Sequence, residues 1–324
     1  MAELRYNPLL DDWTMVAASR QHRPDMPKDY CPFCPGSNTV PDNYDVYLYH
    51  NDFPVLREDP PEPDNVGGGP YRVRRSVGKC EVVLYSPNHH ATIPDLSIAH
   101  LKKLVDLWTD TYKELAQKKE HEYVMIFENR GAEVGVTMPH PHGQIYAYPF
   151  VPLKVRTEIE NAKAYKQQKG KNLFEDIMKE EKRFGKRVVW EDEHFIAFIP
   201  FFTDYPFGTF VMPKVQRLSL LDFTEEEKLS LALCLKELVG GMDKIYNRLF
   251  PYMMVMHPAP CHLEDAIDYY WFHIEFYPPL RGKNSIKYNA SSETGAWAKA
   301  NPTKVEDNAV LMREAILRFK ERSE

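Results

Sequence analysis

One order of elements occurs twice along the chain. Strand, strand, long amphipathic helix, strand and a histidine-bearing strand run through residues 46–148, and the series returns in 195–278. In the first series, residues 97–117 place Leu101, Leu104, Val105, Trp108, Tyr112 and Leu115 at helical spacing, with Ser97 as N-cap. The flanking strands are expected at 46–56, 79–86 and 123–127. In the second, Thr224 and Glu227 form a capping box at the start of a helix over 224–246. Its apolar positions are Leu229, Leu231, Ala232, Leu235 and Leu238, and its strands are Phe195–Phe201, Gly208–Met212 and Tyr252–Met256. A tandem duplication follows, with an α+β fold in which antiparallel sheets carry packing helices. The halves are placed at 1–165 and 166–324. Their join, 153–184, is rich in Lys and Glu and reads as an exposed helical connector.

Composition narrows the partners. Of 324 residues, 43% are hydrophobic and 27% charged, enough for a sizeable core. The net charge of −6 argues against a protein that grips nucleic acid through its overall field, so an anionic ligand must be met locally. Five cysteines, two of them in one C-x-x-C, do not make a disulfide framework and point to a reducing compartment. The first residues lack the apolar core of a signal peptide, and no apolar run approaches the ~20 residues of a membrane span. A soluble cytoplasmic protein is the expectation.

The first histidine-bearing strand is entered through Thr137-Met-Pro-His-Pro-His-Gly-Gln144. Alternate residues of an extended segment share a face, so His140, His142 and Gln144 project together. Pro139 and Pro141 stiffen the approach, and Gly143 lets another group come close to the backbone. A neutral imidazole is a good nucleophile and a tolerable leaving group, which suits His142 to a two-step phosphoryl transfer. Its second ring nitrogen needs an acceptor, for which the His140 carbonyl is a candidate. Gln144 can donate to a phosphate oxygen but cannot protonate a leaving group, which favours transfer over hydrolysis. Upstream, Cys31-Pro-Phe-Cys34 is followed by Pro-Gly, which does not open a thioredoxin-like helix, so zinc is the better reading. Two further ligands are then needed. His89 and His90 in S-P-N-H-H and His140 are the candidates.

C-P-F-C, N-D-F, S-P-x-H, F-E-N-R-G, H-P-H-G-Q, H-P-A-P and F-Y-P-P follow one another in this order. Together, from Tyr6 to about Asn301, they resemble the galactose-1-phosphate uridylyltransferases, a branch of the histidine-triad superfamily. The resemblance implies two histidine-triad-like units with half-barrel antiparallel sheets, and a catalytic pair of His142 and Gln144. It implies zinc on Cys31, Cys34, His89 and His140. It also implies a second metal, iron or a second zinc, on Glu158, His257, His273 and Glu275. Glu158 lies sixteen residues beyond His142, as in the family, while Glu275 stands where the family's H-x-H carries its second histidine. It implies phosphate contacts on Arg20 and Arg23, beside which Asn129 and Thr137 are further candidate donors, and nucleoside contacts on Asn51, Asp52 and Phe53. Lys287 and Glu293 are matched to the hexose side across a homodimer. Ser292 and Lys299 depart from the Tyr and Gln found there in some members. The implied activity is exchange of UMP between UDP-glucose and galactose 1-phosphate through a uridylyl-histidine, with UDP-galactose as the other nucleotide sugar. The departures keep open an adenylyltransferase or a nucleotide-sugar or dinucleotide phosphorylase. A non-catalytic, zinc-stabilised nucleotide-binding protein is disfavoured by the intact His142 and Gln144.

Overall fold

A computed structural model describes residues 2–18 and 30–321. The chain begins with β1 (Ala2–Asn7) and β2 (Asp12–Ala17), followed by β3 (Tyr47–His50), β4 (Val73–Arg75) and β5 (Lys79–Leu84). Helix α1 (Ile98–Ala116), β6 (Tyr123–Arg130) and β7 (His142–Tyr148) complete the first repeat. The join forms α2 (Leu153–Lys169) and α3 (Leu173–Phe184). The second repeat has β8 (Val188–Glu191), β9 (Phe195–Phe198), β10 (Thr209–Pro213), α4 (Glu225–Tyr246), β11 (Tyr252–His257) and β12 (His273–Tyr277). A hairpin of β13 (Leu280–Gly282) and β14 (Ser285–Ile286), a short α5 (Ser291–Gly295) and α6 (Val305–Lys320) close the chain.

One nine-stranded antiparallel sheet unites the repeats, in the order β3-β5-β7-β6-β11-β12-β10-β9-β8. Apart from β8 the order is a palindrome about the β6–β11 seam. The register shares the symmetry. One row of paired residues runs Tyr49, Val82, Gln144, Phe127, then Val255, Glu275, Phe210, Phe198. Gln144 and Glu275 therefore occupy equivalent places, and His142 and His273 stand two residues before each. A smaller sheet, β2-β1-β4, lies beside it.

Strand alternation assigns the two faces. Val124, Ile126, Ile145, Ala147, Met254 and Ile274 pack with the apolar stripes of α1, α4 and α6 in one core spanning both repeats. Tyr146, Tyr148, Ile196, Phe198 and Met212 on the other face pack with α2 and α3. The predicted N-cap of α1 is present, with Ser97 accepting from the His100 amide, and all six predicted apolar residues are buried. The Thr224–Glu227 capping box of α4 is formed as well.

Some boundaries differ from expectation. β3 ends at His50 rather than near 56, because Asn51 Oδ1 accepts the Phe53 amide (2.9 Å) and turns the chain. β9 ends at Phe198, just ahead of the Ile199–Pro200 segment. Leu229 is 42% exposed, off the buried stripe of α4. The join is not simply exposed. Val155, Ile159, Ala162, Phe174 and Met178 are buried against the sheet, and α2 stops at Gly170 in a left-handed conformation. Among the described residues, no helix is long and apolar enough to cross a membrane.

Candidate active site and metal centres

β7 carries the first group. His142 Nδ1–H donates to the His140 carbonyl at 2.8 Å, so the basic nitrogen of the ring is Nε2. This is the acceptor expected from the sequence. Gln144 follows on the same face, and its Oε1 accepts from the Tyr146 hydroxyl at 3.1 Å. The group that approaches Gly143 is the buried Tyr85 hydroxyl, which would lie 2.2 Å from an added Cβ. A cavity of about 410 Å³ opens beside His142, with Asn129, Glu128 and Tyr85 in its wall. Thr137 is exposed on the approach to β7. Tyr146 was not singled out from sequence, although its spacing of two from Gln144 in a strand was the available signal.

The second group clamps the segment before the strand. Cys31 Sγ lies 3.6 Å from His140 Nδ1, and Cys34 Sγ lies 3.5 Å from His89 Nδ1 and 3.8 Å from His140 Nδ1. Tetrahedral zinc with ordinary Zn–S and Zn–N bonds sets its sulfur and nitrogen ligands about 3.6 Å apart. The four residues therefore fit that ion, and His89 rather than His90 belongs to the set. His140 Nε2 donates to the Ser86 carbonyl at 2.9 Å, which turns the Nδ1 lone pair toward the sulfurs. Burial pushes the His140 pKa down to about 4 against the effect of that hydrogen bond, so the ring is neutral near pH 7, as a ligand must be. Burial, followed by the neighbouring Cys31, raises the Cys34 thiol to about 11, a thiol that only a cation would hold as thiolate near neutrality.

The third group sits at the equivalent place in the second repeat. Glu158 from α2, His257 from the end of β11, and His273 and Glu275 from β12 bring one ligand atom each within 4.8 Å of the others. Glu158 Oε2 accepts from His257 Nδ1 (3.1 Å), and His273 Nδ1 donates to the Trp271 carbonyl (3.0 Å). Both rings thereby present Nε2. His257 Nε2 is buried with no hydrogen-bond partner among the described residues, and His273 Nε2 is 3.3 Å from Glu275 Oε1. An orphaned imidazole nitrogen facing carboxylate oxygens fits a divalent cation. The set of two histidines and two carboxylates suits iron, zinc or manganese. Lys154 and Tyr277 both hydrogen bond to the other oxygen of Glu275. A cavity of about 660 Å³ lies next to this group, between the sheet and α2–α3.

The remaining predicted residues are more scattered. Arg20 and Arg23 lie outside the described residues. Asp52 accepts from Tyr49 (3.0 Å) at the exposed end of β3, beside Asn51 and Phe53. Lys287 is buried, 4.8 Å above the Tyr205 ring and 3.9 Å from Asp204, which Lys299 also approaches at 3.9 Å. Glu293 caps α5 by accepting the Ala290 amide (3.2 Å). Among the described residues, neither Lys287 nor Glu293 lines the cavity beside His142.

Two fused repeats in one sheet, with H-P-H-G-Q at the head of β7 and His273 and Glu275 at the equivalent places of β12, define the class as a nucleotidyltransferase. The models for the N-terminal and C-terminal domains of galactose-1-phosphate uridyl transferase match residues 1–152 and 158–289. The chain belongs to the galactose-1-phosphate uridylyltransferase family and is an enzyme. It is similar to the galactose-1-phosphate uridylyltransferase of Thermotoga maritima, with 41% identity over 97% of this chain and 98% of the relative. The Haemophilus influenzae protein of that name is 34% identical over 87% and 85%. A solved uridylyltransferase superposes with a TM-score of 0.90 at 31% identity, covering 98% of this chain and 99% of that one. An ADP-glucose phosphorylase from Arabidopsis thaliana superposes with a TM-score of 0.74 at 25% identity, covering 97% and 99%.

Proposed function

We propose that the protein exchanges UMP between UDP-glucose and galactose 1-phosphate through a covalent uridylyl-His142. His142 Nε2 attacks the α-phosphorus, forming a P–N bond as the bond to the glucose 1-phosphate oxygen breaks and its electron pair leaves with that oxygen. An oxygen of galactose 1-phosphate then attacks the same phosphorus, and the P–N electron pair returns to the imidazole. The observation that carries this reading is the 2.8 Å bond from His142 Nδ1 to the His140 carbonyl, which makes Nε2 the nucleophilic atom. Gln144 donates to a non-bridging oxygen as charge develops, an effect worth ~2.7–4 kcal/mol in comparable donors. Cys31, Cys34, His89 and His140 would hold zinc, which would tie the nucleophile's segment to the C-x-x-C turn. The repeats divide the labour: 1–165 carries transfer, and 166–324 carries the hexose tail and, together with Glu158, the second metal. Asn129, Thr137, Arg20 and Arg23 meet phosphate, Asn51, Asp52 and Phe53 meet the nucleoside, and Lys287 and Glu293 reach the hexose in a cytoplasmic homodimer.

A second reading, adenylyl transfer from an ADP-sugar, is supported by the likeness to the ADP-glucose phosphorylase. One experiment separates the two. The protein is incubated with UDP-glucose or ADP-glucose labelled in the α-phosphate and quenched. Acid-labile, base-stable label from the uridine donor, absent in His142→Ala, is expected. Label from the adenine donor alone supports the second reading, and no label from either sinks both.

A further inference from the structure

Gln144 serves a phosphoryl group only with its amide nitrogen presented. Its carbonyl oxygen would meet the phosphate oxygens with like charge. The two ends of a glutamine amide are nearly the same size, so shape alone does not choose between them. Tyr146 is two residues further along β7 and therefore on the same face. Its hydroxyl donates to Gln144 Oε1 at 3.1 Å. The ring is 7% exposed and meets Phe127 edge-on, with centroids 5.0 Å apart and planes at 84°. Phe127 is also the residue paired with Gln144 across β6 and β7. The same packing that holds Phe127 beside the amide thus fixes the tyrosine hydroxyl against its carbonyl end. The reverse arrangement, with the hydroxyl accepting from the amide nitrogen, would turn Oε1 toward the anion.

We propose that Tyr146 is a positioning residue for transfer: it engages the carbonyl of Gln144 so that the amide hydrogens are what the side chain offers to the phosphoryl group. The inference rests on the uridylyl-transfer reading above. It also gives a physical reason for a tyrosine two residues after Gln144, since phenylalanine would pack there but could not donate.

The test is a double-mutant cycle on the intact protein, read as the single-turnover rate of label transfer from α-phosphate-labelled UDP-glucose, with the thermal midpoint of each variant measured alongside. Tyr146→Phe is expected to slow transfer about 3- to 10-fold, the worth of one neutral hydrogen bond, with the thermal midpoint nearly unchanged. In the Gln144→Ala background the same change should cost nothing further, because a residue acting through Gln144 has nothing left to position. Equal losses in both backgrounds, or no loss in the parent, overturn the assignment. Label lost in His142→Ala together with no effect of Tyr146→Phe overturns the role of Tyr146 alone. Label that persists in His142→Ala overturns the reading beneath it.

Discussion

Glu128 precedes Asn129 in β6 but faces the opposite side of the sheet, into the core beneath α4. Its Oε1 accepts from the Tyr252 hydroxyl at 3.1 Å. Burial pushes its pKa up to about 7, with the Arg130 charge acting against the rise. A carboxyl whose folded pKa lies above its unfolded value stabilises the fold fully below the unfolded pKa and loses that contribution as pH rises toward the folded one. The window is therefore pH 4.5 to about 7. Glu128→Gln should gain stability relative to the parent across it, by up to about 3 kcal/mol, measured by urea unfolding at several pH values. A difference that stays flat with pH contradicts this. The sequence offered no sign of this environment, because the partner that matters, Tyr252, is 124 residues away. The carbonyl acceptor for His142 was legible from local spacing, and the grouping of Cys31, Cys34, His89 and His140 from the resemblance carried by short motifs. The orientation of Gln144 was not, because it depends on where a hydroxyl ends up after the strand has packed.

Between elements, α6 packs closely on α4. A Cβ added at Gly241 would lie 2.4 Å from Ile316 Cγ1 and 3.1 Å from its backbone. Alanine improves helix propensity by ~1 kcal/mol, but overpacking costs ~1–3 kcal/mol, so the steric term should win. Gly241→Ala is expected to lower the urea midpoint, and trimming Ile316 to valine should restore part of it. A midpoint that rises in the single variant would show that α6 yields freely. The helices themselves could be read from the chain, because α1 and α4 combine apolar spacing with Ser97 and Thr224 caps. β8 could not be read, since Val188–Glu191 is short and sits at the sheet edge. The connector was misjudged for a related reason. Its abundant Lys and Glu hide Val155, Ile159 and Phe174, which are buried only because the sheet passes beneath them.

At the scale of the molecule, the β6–β11 seam joins the repeats through four consecutive residue pairs, and the core beneath α1, α4 and α6 crosses it without interruption. The protein should therefore unfold in one calorimetric transition whose van't Hoff and calorimetric enthalpies agree. Two resolved transitions, one per repeat, would contradict a shared core. The duplication was visible in the order of elements, whereas the palindrome emerged only from strand pairing, which no local pattern encodes. That palindrome has a consequence for how such a sheet can specialise. In an assembly of two identical short chains, any substitution strikes both copies, and the two equivalent positions must stay alike. Here one chain writes both positions separately, as an uncharged amide at Gln144 and a carboxylate at Glu275. Fusion has freed each half of the sheet to lose what the other half keeps.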